Sequence, residues 1–138
     1  MIESRHLKSE LDDRKAKMTA DATFGPLAAS FAAELEIVED SLYQTKNQSG
    51  QDPLNFPIRL NDQLGGLMGF IMSGERRPPK QAYDVWGVLA PKTDGELAKM
   101  ERVITTNLPK VNAKLKAAGQ KEITRSKTEG PAPRPITP

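Results

Sequence analysis

The sequence predicts an all-α fold, an up-down antiparallel helical bundle of three main helices plus an N-terminal helix, and three observations predict it. Apolar residues recur at steps of three and four over most of the chain. No run alternates apolar and polar residues for long enough to make a strand. Short connections rich in Pro, Gly and Asn separate the patterned segments, and short connections favour antiparallel neighbours.

Taken in order, Leu7, Leu11 and Met18 mark an N-terminal helix among many charges. Its apolar face is thin, so it is expected to lean on a neighbour for stability. Thr23-Phe24-Gly25-Pro26 reads as the break that follows. The clearest helix carries Leu27, Phe31, Leu35, Val38 and Leu42, with Pro26 suited to its first turn and Asn47, Ser49 and Gly50 marking its end. A second stripe, Leu60, Leu64, Leu67 and Ile71, begins just after Pro57 and stops at Ser73-Gly74. The third runs from Tyr83 through Trp86, Ala90, Leu97, Met100, Ile104, Leu108 and Val111 to Leu115. Pro91 and Gly95 interrupt it, so this helix is expected to be kinked or broken near Pro91, with a second irregularity at Pro109.

Beyond Ile123, a run containing Pro131, Pro133, Pro135 and Pro138 has nothing to pack and reads as a flexible proline-rich tail. The chain therefore divides into an N-terminal helix and break (1–23), a helical bundle (24–123) and the tail (124–138). The facing stripes predict a core of Leu35, Val38, Leu42, Leu60, Leu64, Leu67, Trp86, Leu97, Met100, Ile104 and Leu108.

A length of 138 residues, 37% hydrophobic and 28% charged with a net charge of +2, fits one small domain with one core. The absence of cysteine removes disulfides, thiolate metal sites and a cysteine nucleophile. No apolar run follows the charged N-terminus, so no signal peptide is expected in this chain; the compartment stays open. The longest apolar stretch, Leu64 to Met72, is far shorter than the ~20 residues of a membrane span.

The most specified segment is the connection between the first two main helices. It interleaves Asn47, Asp52, Pro53, Asn55, Phe56, Pro57 and Asn61, with Tyr43 at its entrance. Short amides and carboxylates fold back on local N–H groups, and the prolines restrict the residues before them. Two readings stand side by side: a rigid cap between helices, with Leu54 and Phe56 plugging the end of the bundle, and a surface that docks a partner. The tract from Leu42 to Asn61 resembles the closing helical region of large bacterial proteins with sortilin-like (VPS10, BNR/Asp-box) β-propellers, often described as glycosyl hydrolases. Residues 37–123 carry the resemblance. It implies a non-catalytic structural or protein-interaction module near a C-terminus, with the propeller as partner and any hydrolase chemistry on the propeller. It also implies an extracytoplasmic location if the chain belongs to an exported protein of that kind.

Other residue clusters point to little chemistry. Gly65, Gly66 and Gly69 on the second main helix ask for close approach of a neighbour such as Trp86 or Phe31, or for a small ligand groove. A small ligand-binding or enzymatic bundle using a groove near Gly65 and Gly69 is thus the alternative to the interaction module. Glu34, Glu36, Glu39 and Asp40 read as a solvated face. A di-iron site would require Glu-x-x-His pairs, whereas His6 is the one histidine present. No Ser-His-Asp set or phosphate-binding glycine loop can be assembled, and no metal or cofactor is expected. Lys99, Arg102, Lys110, Lys114, Lys116 and Lys121 make the last helix basic. With 5% aromatic residues and no recognition motif, that face is expected to complement the acidic helix rather than to bind nucleic acid.

Overall fold

The computed structural model describes residues 2–44, 46, 57–74 and 77–126. Four helices follow one another: α1 (Ile2–Lys17), α2 (Phe24–Leu42), α3 (Leu60–Met72) and α4 (Lys80–Ala117). The fold is an all-α bundle, with no strand among the described residues. Helix α2 lies between α1 and α4, and α3 packs chiefly on α4.

The core sits at one end of the molecule. Phe24, Ala28, Phe31 and Leu35 of α2 meet Leu7 and Leu11 of α1 on one side and Ile104, Val111 and Leu115 of α4 on the other. Met18 and Ile123 close the edges. The thin stripe of α1 is therefore fully used, since both of its leucines are buried and shared with α2.

This core differs from the one the stripes predict. Leu35, Val38, Leu42 and Ile104 are buried, and Met100 and Leu108 pack partly buried against the core. Leu60, Leu64 and Leu67 are only half-buried, whereas Trp86 is 55% exposed and Leu97 is also more than half exposed. The reason is length. Helix α2 ends at Leu42, which shares a small cleft with Leu60 and Leu64 of α3 and Thr93 and Leu97 of α4. Past that point α3 and the first half of α4 continue as a two-helix hairpin, which among the described residues buries only Ala82 and Leu89 of α4.

Helix α4 passes through Pro91 and Pro109 unbroken. Pro91 removes the N–H that would bond the Gly87 carbonyl, but Gly87 is exposed and water can serve it. The helix stops at Gly119, whose φ of 68° places it in the left-handed region that favours glycine. The Gln120 N–H then donates back to the Leu115 carbonyl at 2.8 Å, the longer bond of a Schellman ending.

Candidate interaction surfaces

The described part of the α2–α3 connection is held by one amide. Gln44 is buried; its Nε2 donates to the Pro57 carbonyl at 2.9 Å, and its Oε1 accepts the Lys46 N–H at 3.3 Å. Gln44 thus ties the exit of α2 to the approach of α3. Sequence reasoning passed over it in favour of the asparagines, although an amide with both a donor and an acceptor is suited to such a bridge. Tyr43 is half-buried, with the Arg5 guanidinium 5.9 Å from its ring centroid. Pro57 is exposed. Asn61 is exposed too, on the rim of the Leu42–Leu97 cleft. The Asp62 carboxylate, not an asparagine, reaches the Arg59 N–H at the start of α3, at a long 3.4 Å. Asn47, Asp52, Pro53, Asn55 and Phe56 lie outside the described residues.

Glu36 is exposed, as expected of a solvated face, but Glu39 and Glu34 depart from it. Glu39 is 2% exposed and accepts from Lys8 Nζ at 2.5 Å, with Arg5 Nε at 3.5 Å from its other oxygen. Glu34 accepts from the buried Asn107 Nδ2 at 3.0 Å. The partners of Glu39 come from α1, and two bases of α4 are engaged elsewhere. Lys99 pairs with Glu96 of its own helix at 2.6 Å, and Lys114 bonds Thr23 and lies 3.7 Å from Asp21. Asp21 titrates below the usual aspartate value because the Thr23 hydroxyl and N–H donate to it.

The chain after α4 folds back onto the bundle. Asn112 Nδ2 donates to the Ile123 carbonyl at 2.9 Å and its Oδ1 accepts the Ile123 N–H at 2.8 Å, so one side chain satisfies both backbone groups of a buried residue. His6 Nε2 lies 3.2 Å from the Thr124 carbonyl. Arg125 forks onto two carboxylates, Glu3 at 2.6 and 3.1 Å and Glu101 at 2.6 and 2.8 Å, joining the start of α1 to α4. Hydrogen bonding by Arg125 holds Glu101 below the usual glutamate value, and the two carboxylates raise the arginine above its own. Residues 124–126 are therefore engaged with the bundle rather than loose, in contrast to the expectation for the start of the tail. The prolines of that tail lie outside the described residues.

Among the described residues, most of the exposed large apolar side chains lie on the α3–α4 hairpin. No residue of α3, all of which is described, is buried, and Met68, Phe70, Met72, Tyr83, Trp86 and Val88 are each more than half exposed. The expected close approach at Gly65, Gly66 and Gly69 is absent: a methyl group built on any of the three meets no described atom within 4 Å. Open space gives a groove no walls. Concavities elsewhere are shallow, and the one between α2 and α4 is lined by Glu34, Ile37, Val38, Lys99, Arg102, Val103 and Thr106, where the charged groups have partners already. Among the described residues no cluster of His, Asp and Glu is arranged to hold a metal, and no helix is long and apolar enough to cross a membrane. Comparison with family models, with curated proteins and with solved structures yields no match to this chain.

Proposed function

We propose that this chain is a non-catalytic protein-interaction module whose working surface is the α3–α4 hairpin together with the adjoining α2–α3 connection. The observation that carries this reading is the number of exposed methionine, phenylalanine, tyrosine and tryptophan side chains on a hairpin that buries only Ala82 and Leu89 among its described residues. Large contiguous apolar surfaces mark sites of association. The polar groups held at fixed geometry are spent on fastening α1 to α2 and the chain end to α4, which supports an architectural role for them. For the connection, the resemblance of the Leu42–Asn61 tract points to a sortilin-like β-propeller as the partner. Glycoside hydrolysis requires two carboxyl groups across the scissile bond, roughly 5 to 9.5 Å apart. The paired acids here are committed to cations of the scaffold.

The test combines the purified chain with a sortilin-like propeller region, each also measured alone, by titration calorimetry and by a glycoside turnover assay. Heat of association without turnover by the chain alone supports the reading. Turnover by the isolated chain that disappears on replacing a carboxylate overturns it, and absence of association removes the propeller as partner.

A further inference from the structure

The chain that returns after α4 has a direction, and it points at the hairpin. Ile123 is fastened to Asn112 and Arg125 to Glu101, so each step forward in the returning chain is a step back along α4. Asn112 and Glu101 are eleven residues apart, close to three whole turns, and therefore lie on one strip of the helix. Eighteen residues make five whole turns, which sets Tyr83 on the same strip as Glu101, with Asp94, Ala90 and Gly87 between them and Trp86 at the edge. Helix α3 packs about a third of a turn away, on the side of Ala82, Leu89 and Thr93. Helix α1 begins at Ile2, beside the Glu3 that Arg125 bonds. Past that point the strip is open: Tyr83 and Trp86 are more than half exposed, and a methyl group built on Gly87 meets no described atom within 4 Å.

We propose that the proline-rich run 131–135 of the same chain docks along this strip, a polyproline II strap over Tyr83 and Trp86. This names a regulator for the hairpin surface and rests on the interaction-module reading, since a partner of the hairpin then has to displace the strap. Reach agrees. At ~3.1 Å per residue, Pro131 and Pro135 lie about 19 and 31 Å beyond Arg125, and at ~1.5 Å per helical residue Ala90 and Tyr83 lie about 16 and 27 Å beyond Glu101. Chemistry agrees as well. Polyproline II segments dock on aromatic side chains because their conformation is set in advance and little entropy is lost. Gly87 and Ala90 keep the floor beside the two rings low. Between Glu101 and the start of α4 the charged residues on the strip are Asp94 and Lys80, and Lys80 is paired with Asp84 at 2.8 Å. Lys92, Glu96 and Lys99 fall on the far side of the helix. The path of residues 123–125 selects this occupant over a free one, because a short tether holds the prolines at an effective concentration of about millimolar.

The chain has no cysteine, so Ala132→Cys supplies a single thiol for a nitroxide in the full chain. At micromolar concentration the label should broaden the amide signals of Gly87 and Ala90 and the indole signal of Trp86, the only tryptophan. Broadening centred on Glu101, or absent from α4, overturns the proposal. Isotope-labelled parent mixed with unlabelled, nitroxide-bearing chain should show no broadening; broadening there places the prolines on a second copy and also overturns it. Tyr83→Glu should lose the effect with helical circular dichroism unchanged. Should that variant lose helicity, the double change Pro131→Gly and Pro135→Gly, which leaves all four helices unaltered, decides instead: undiminished broadening overturns the strap. Calorimetry with the propeller region separates the two readings. Tighter association of the double variant than of the parent supports the strap as regulator, and equal association overturns it while leaving the module standing. Broadening without any association keeps the strap and removes the propeller.

Discussion

Lys8 Nζ lies 2.5 Å from Glu39 Oε2, and the two groups differ in their access to water: the carboxylate is almost fully buried, while the ammonium keeps 29% of its side-chain surface exposed. Removing one end is therefore not equivalent to removing the other. Lys8→Met would leave a buried carboxylate with only the longer Arg5 contact at 3.5 Å, whereas Glu39→Gln would leave two cations that can turn to solvent. The expected losses are about 2–3 kcal/mol for Lys8→Met and about 1 kcal/mol for Glu39→Gln, read from urea unfolding. Equal losses would contradict the asymmetry.

The two ends of the bundle should respond differently to truncation. Phe31→Ala and Leu35→Ala remove fully buried side chains and should each cost about 3–5 kcal/mol. Leu64→Ala trims a half-buried residue and should cost about 1 kcal/mol. Chemical denaturation at low protein concentration gives the comparison.

Acid should loosen the Arg125 clamp. Glu101 has its folded pKa depressed below the ordinary 4.5 by hydrogen bonding from Arg125, so its contribution is present above 4.5 and is lost as the pH falls through the lower folded value. Arg125 is shifted upward, so its share persists at any ordinary pH. The melting temperature of the parent should therefore fall below about pH 4.5 more steeply than that of Arg125→Ala. Glu101 is half exposed, so high salt should shrink the difference.

Asn112→Ala should release the chain end. It removes both partners of the Ile123 backbone at a buried position, a loss of about 1–3 kcal/mol. Amide exchange at Ile123 should accelerate selectively, while exchange in α1 and α2 is less affected.

The helices were legible because stripes at steps of three and four report on helical periodicity whatever lies opposite. What lies opposite was not. Leu64 and Trp86 sit on regular stripes, yet their exposure depends on where α2 ends, and that is a matter of relative helix length rather than of local pattern. Leu7 and Leu11 were readable as helical but too few to signal a major share of the core. Gln44 and Asn112 act through single side-chain bridges that carry no period, and Arg125 finds Glu3 at the opposite end of the sequence. The glycines of α3 signalled close approach, but no neighbour within the chain supplies it among the described residues.

Helix α4 has 38 residues, which at 1.5 Å per residue makes a rod of about 57 Å. Its last half is clamped in the core, whereas its first half stands out with α3 as an arm. Whatever grips the tip of that arm acts on a lever whose fulcrum lies near Leu97, and a small rotation there would sweep the tip through a much larger arc. The chain thus has the mechanical form of a spacer, with the hairpin at one end and α1 and the returning chain fastened at the other.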